Sequence, residues 1–254
     1  MGTSGGAAPY GDAAEDVTPD QSWEYFPDTS ASVGEEGPVP PRGRFEGDSG
    51  DRAGTRSVPP GRCTAPRSRY QRKVESLLGL KADGKQSAAD CRAIRAFQRK
   101  YGVEPANGAA GAITYTTLYA RWASARPGRL KGCPASRKRI VCVDLSHQIL
   151  WVKKRGKVLF GPVPIRSGRP GHETRTGWFR VYWRHKAHWS TAYHSPMPYS
   201  QFFSGGQAFH GIYSNLLRNP ASYGCVNLRY DDSVKLWKIL RKNDKVRIWG
   251  RRPR

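Results

Sequence analysis

No run of about eighteen apolar residues occurs in this 254-residue chain, so nothing in it reads as a membrane-spanning helix. The N-terminus lacks a charged start followed by an apolar core and a small-residue cleavage site, so no secretion signal is readable there. Acidic residues are scarce beyond residue 60. The first 60 residues hold 11 acidic and 4 basic side chains, while the remainder carries 39 Lys and Arg against 9 Asp and Glu. A body so short of negative charge is expected to seek polyanions, and nucleic acid and an anionic cell-wall polymer are the two candidate classes. The basic residues are scattered rather than gathered on one helix, which favours salt-sensitive attachment to an anionic matrix over a nucleic-acid partner. Cysteine is also sparse. Five is an odd count, so pairing within one chain leaves at least one thiol over.

Two segments carry the chemistry: Phe209-His210-Gly211, and Ser222-Tyr223-Gly224-Cys225-Val226-Asn227. A cysteine attacks acyl carbon as its thiolate, which needs an imidazole nearby either to take the proton or to pair with the charge. Eleven residues separate His210 from Ser222, enough to leave a strand, turn and return beside it. Gly224, without a Cβ, lets a main-chain N–H approach the carbonyl oxygen that becomes negative during attack. Taken alone, Cys225 reads as a small buried hydrophobe and His210 as a satisfied core or surface group.

The same residues resemble the YkuD-type L,D-transpeptidases, whose signature is a histidine followed by Ser/Thr-His-Gly-Cys, a hydrophobic residue and Asn or Arg. Ser222, Gly224, Cys225, Val226 and Asn227 match it, and Tyr223 stands where the family usually has His. Further ordered blocks agree: Val143-Asp144-Leu145-Ser146 with Gln148 and Leu150, Ser167-Gly168-Arg169, Thr174-Arg175-Thr176-Gly177 with Phe179, and Phe203 through His210. The resemblance implies a peptidoglycan transpeptidase that needs no cofactor and acts on stem peptides in an extracytoplasmic, wall or secreted location, as a monomer. It implies that Cys225 is the nucleophile and His210 the base, with the Gly211 carbonyl orienting the imidazole. Main-chain N–H groups of Tyr223, Gly224 and Cys225 would form the oxyanion hole. Asn227 would position substrate, and Phe203 and Gly206 would line the entrance. The same thioester resolved by water would give an L,D-carboxypeptidase, and a non-catalytic wall-binding protein is the alternative from another class.

If Cys225 stays free, Cys63, Cys91, Cys133 and Cys142 can form two bridges in three ways. Proximity in sequence favours Cys63 with Cys91 and Cys133 with Cys142; four reduced thiols are the alternative. His185, His188 and His194 raise the possibility of a zinc site. No acidic ligand lies near them in sequence and strand periodicity sends His185 and His188 to opposite faces, so no metal is expected.

Along the chain, residues 1–61 read as a disordered acidic leader rich in Gly, Pro, Asp, Glu and Ser. Residues 62–124 show helical periodicity at Val74, Leu77 and Leu78, then at Ile94, Phe97, Gln98 and Tyr101, then at Tyr115, Leu118 and Trp122. Gly79 and Gly102 mark helix ends, and Ser87 or Asp90 a helix start. This part resembles the small helical peptidoglycan-binding domain, with a helical packing module as the plain alternative. A linker at 125–137 leads to residues 138–250, where the period falls to two. Strands are expected around Val141 to Leu145, Ile149 to Val152, Val158 to Phe160, Trp178 to Trp183, Ala208 to Tyr213 and Lys245 to Trp249. Asp231 and Asp232 are expected to cap a helix that turns Val234, Trp237 and Leu240 inward. The fold class is α+β: a small three-helix bundle domain, then a β-rich mixed sandwich with one covering helix, ending in a basic tail at 251–254.

Overall fold

The computed structural model describes Cys63 and residues 65–218 and 221–253; the expected leader at 1–61 lies outside them. Three helices come first: α1 (Gln71–Leu78), α2 (Ala88–Tyr101) and α3 (Ala112–Ser124). Their ends follow from local chemistry. Gly79 and Gly102 close α1 and α2 in the left-handed conformation, and the Ser87 hydroxyl accepts from the Asp90 N–H while the Asp90 carboxylate accepts from the Ser87 N–H. Val74, Ile94, Phe97, Tyr115 and Leu118 meet in one apolar cluster, joined by Leu217 from far along the chain. Gln98 is buried among them and loses nothing by it: it donates to the Ala109 carbonyl and the Thr114 hydroxyl and accepts from the Gly108 N–H.

Nine strands follow in two sheets: β1 (Ile140–Asp144), β2 (Ile149–Lys154), β3 (Lys157–Pro164), β4 (Gly177–Arg180), β5 (Trp183–Ser190), β6 (Ser195–Ser204), β7 (Gln207–Ile212), β8 (Val226–Arg229) and β9 (Lys245–Trp249). A fourth helix, α4 (Tyr230–Ile239), lies between the last two. One sheet has the order β3-β2-β1-β9-β4 and the other β5-β6-β7-β8, with β1–β9 and β7–β8 the parallel pairs. The two sheets face each other across a core of Val141, Val143, Leu150, Val152, Phe209, Val226, Leu228, Val246 and Ile248. Strand β1 does not alternate in burial; all five residues are inside. Its second face, with Ile140 and Cys142, joins Ile149 and Trp151 of β2 in packing against Ala120 and Tyr119 of α3.

That packing changes how the chain divides. The described helices and sheets belong to one compact unit, and the segment expected as a linker contains a short 3-10 turn, Pro127–Arg129, and Cys133. Cys133 is bonded to Cys142 and Cys63 to Cys91, leaving Cys225 as the free cysteine among the described residues. Two expectations are corrected. The strand expected at Trp178 to Trp183 breaks after Arg180, because Val181 bonds to Asn243 and Asp244 and turns into the core while β5 starts the other sheet. Helix α4 buries Ser233, Leu236 and Leu240, leaving Val234 and Trp237 half-buried; Asp231 and Asp232 sit in its first turn, and Arg229 is the N-cap. In the basic tail, Arg252 donates to Gln148 Oε1 at 3.0 Å and to the Ser167 carbonyl at 3.1 Å.

Candidate active site

Strand periodicity builds the site. Phe209 points into the core, so its neighbour His210 points to the outer face of the four-stranded sheet. In the parallel pair β7–β8, His210 lies beside Asn227, and Cys225, two residues earlier, shares that face. Met197, Phe202 and Ala208 form a small apolar cluster there, with Tyr182 and Cys225 packed against it.

Residue 211 must be glycine for this placement. A Cβ there would collide with the Ser233 side chain of α4, so its absence lets α4 close on β7. The Gly211 carbonyl then accepts from His210 Nδ1 at 2.8 Å. A carbonyl cannot donate, so Nδ1 carries the proton and Nε2 is the basic nitrogen of the neutral ring. Burial pushes the imidazole down to about 4, and the positive charges of Arg166 and His188 push the same way; the Gly211 carbonyl and the Asn227 amide oppose them. Cys225 is shifted in the opposite sense. Burial raises its thiol to about 11, against a smaller opposing contribution from the Ala208 main chain. The thiol donates to the Gly206 carbonyl at 3.7 Å. Both groups are therefore neutral at pH 7, which favours proton transfer during attack over a standing ion pair.

The loop before the cysteine is tied from several sides. Ser222 exchanges main-chain bonds with Ser167 and Arg169, its hydroxyl donates to the Cys225 carbonyl at 2.5 Å, and the same hydroxyl oxygen accepts from the Gly224 N–H at 3.2 Å. Gly224 has φ +114° and lies where a Cβ would meet the Gln207 amide, so no other residue fits easily. Thr174 donates to the Gly224 carbonyl at 2.8 Å. Ser222 thereby occupies the Gly224 N–H, one of the three main-chain donors expected in the oxyanion hole. Tyr223 is 44% exposed. Its ring lies 3.8 Å from the Arg169 guanidinium, stacks on Tyr193 at 4.5 Å and meets His172 edge-on at 5.0 Å.

Two residues expected to meet substrate are placed differently. Phe203 is 3% exposed and packs on Phe179 and Phe209 in the core; the neighbouring Phe202 faces the thiol side, since one step along a strand reverses the face. Asn227 is 6% exposed, which puts its amide beside the imidazole rather than at the open surface. Gly206 stays exposed beside the thiol. His185 and His188 do not diverge: their rings lie 5.7 Å apart, both against Trp183. Tyr199, with φ +56°, stands opposite this stretch. Among the described residues no group of three His, Cys, Asp or Glu is arranged to hold a metal. Gln207 lies within the Phe203–His210 block and Arg252 within the basic tail, and nothing in the sequence singles out either one.

A family model, the YkuD L,D-transpeptidase catalytic domain, matches residues 138–248. The solved L,D-transpeptidase (Yku) of Stackebrandtia nassauensis is 37% identical, the match covering 73% of this chain and 93% of that one with a TM-score of 0.53. The chain belongs to the YkuD L,D-transpeptidase family. A second solved L,D-transpeptidase, from Xylanimonas cellulosilytica DSM 15894, is 25% identical over 73% of this chain and 95% of its own, with a TM-score of 0.43. No curated protein sequence matches. As a YkuD L,D-transpeptidase the protein is a cysteine-dependent acyltransferase of peptidoglycan.

Proposed function

We propose that Cys225 is the nucleophile and His210 its general base in forming cross-links between the third residues of peptidoglycan stems. The observation that carries this is the His210 to Gly211 bond, which leaves Nε2 basic on the sheet face that also bears the free thiol. As Cys225 Sγ attacks the carbonyl of the third stem residue, its proton passes to His210 Nε2. The tetrahedral oxyanion faces the N–H groups of Tyr223 and Cys225. Collapse breaks the peptide bond, and His210 returns the proton to the departing amine of the terminal D-residue. The side-chain amine of a second stem attacks the thioester, gives its proton to His210, and the thiolate leaves to be reprotonated.

Residues 62–124 act in this reading as a peptidoglycan-binding-like domain that holds the wall near the thiol. The two disulfides fit work in an oxidising, extracytoplasmic place, and a monomer contains every group the chemistry uses. Incubation with purified tetrapeptide stems, with products resolved by mass, tests the proposal. Stem dimers are expected. Tripeptide alone would make the protein an L,D-carboxypeptidase, and unchanged stems would leave a wall-binding protein without turnover.

A further inference from the structure

A groove of about 1060 Å³ is lined both by the helical part of the chain and by the segments around Arg169, Ala221 and Arg252, next to the nucleophile loop. One wall comes from the start of α3 and the loop before it, including Gly111; the other from Arg169, Ala221, Arg251 and Arg252. Its charge is unbalanced. Among the described residues no carboxylate lies within ion-pairing distance of Arg169, Arg251 or Arg252. Of the two acids on the lining, Glu104 already accepts from Asn215 and faces Arg218 at 3.9 Å; the other is Glu173.

Arg252 is the most telling of these groups. Its bonds go to neutral oxygens, the Gln148 amide and the Ser167 carbonyl. Burial and the neighbouring Arg166 lower it to about 10. A guanidinium withdrawn from water and bonded only to neutral acceptors keeps an uncompensated charge, and a carboxylate is the group its planar fork pairs with best. Arg169 adds a second cation and connects the groove to the site, because its guanidinium rests on the ring of Tyr223, two residues before Cys225.

We infer that this groove is a binding site for a carboxylate-bearing peptide, in the wall a peptidoglycan stem, held by Arg169, Arg251 and Arg252 next to the nucleophile loop. The inference rests on the transpeptidase reading for the identity of the peptide, and on the groove's own charge for its chemistry. It also gives the contact of α3 with the sheet a use: one continuous trough spans the helical region and the catalytic region, so wall held by the first lies alongside the second.

Gly111 offers a clean test. Its φ is ordinary and a Cβ built there meets nothing within 4 Å, so a side chain can start from this position on the groove wall without a clash at its first atom. The probe is a purified soluble disaccharide-tetrapeptide, titrated calorimetrically into the full chain carrying Cys225→Ser so that it is not consumed. Gly111→Trp and Gly111→Glu are expected to weaken binding at least about fivefold, and Gly111→Lys to tighten it, with the Glu-to-Lys difference shrinking in salt. A probe with amidated carboxylates should bind weakly to every variant. Affinity that ignores what stands at 111, or an amidated probe that binds as well as the free acid, overturns the inference. Penem acylation of the unsubstituted chain is followed in parallel. Acylation at Cys225 with no charge order at 111 defeats the groove alone; the charge order without acylation defeats the catalytic assignment and keeps the groove.

Discussion

The two sheets share one core but do opposite things with their outer faces. On the five-stranded sheet, Ile140, Cys142, Ile149 and Trp151 are covered by α3, and Cys142 is closed into a bridge with Cys133. On the four-stranded sheet, the face that carries His210 and Cys225 packs them beside Met197, Phe202 and Ala208, and desolvation is the largest influence on both. Burial against apolar surface yields stability. Burial of an ionisable group instead moves its pKa, here down for the imidazole and up for the thiol, and stores reactivity. The same strand alternation produces both, and what differs is whether polar chemistry occupies the outward positions.

The comparison can be broken most sharply at the thiols. Cys225→Ala is expected to abolish acyl-enzyme formation, by more than about 10⁴-fold, with thermal stability preserved; intact-mass spectrometry after penem treatment reads the adduct. A chain acylated at another cysteine would end the contrast between the two faces. His210→Gln comes next, with acylation slowed by about 10²- to 10⁴-fold. It should also change the acid side of the stability curve. Folded His210 takes its proton near pH 4 and the unfolded side chain near 6.5, so the unfolded chain binds more protons between those values. Stability is then full above about pH 6.5 and falls as pH drops toward 4, by on the order of 3 kcal/mol, a loss the Gln variant should not show. Chemical denaturation across that window measures it.

On the covered face the expected effect is on stability alone. Ile140→Ala should cost about 2–5 kcal/mol in denaturant unfolding, leaving the acylation rate per folded molecule as it was. A rate that fell with stability would mean that the two faces are coupled through the shared core. Tyr223→Phe is the smallest change. The ring makes the contacts with Arg169, Tyr193 and His172, so Phe should keep stacking and main-chain donor alike, with the acylation rate within about twofold. A Phe variant slowed a hundredfold would give the phenol hydroxyl a part of its own.

Much of this arrangement was legible in the residues. Glycine stops and apolar periodicity located α1, α2 and α3, and short runs rich in apolar and β-branched residues located β1, β2, β3 and β9. The β5–β6 hairpin was hidden: Trp, His, Pro, Met and Tyr make its two faces, and none of these marks a period of two. The resemblance puts Phe203 at the entrance, whereas the irregularity in the β6–β7 ladder between Phe202 and Ser204, where the structure turns Phe203 inward, leaves no mark in the sequence. The helix-covered face of β1 was invisible for another reason. A strand buried on both sides loses its alternation, and only tertiary contact tells which helix covers it. The site was read as a family pattern plus a thiol and an imidazole, while the depth of burial that sets their protonation has no sequence signature.

The neutral resting pair is the claim on which the chemistry turns, and ultraviolet titration of the Cys225 thiolate tests it most directly. The difference in absorbance near 240 nm between the full chain and its Cys225→Ala variant, followed with pH, should show no thiolate at pH 7 and a rise centred near pH 11. A thiolate already present at pH 7 that disappears in His210→Gln would contradict it, and would make the resting site an imidazolium–thiolate ion pair.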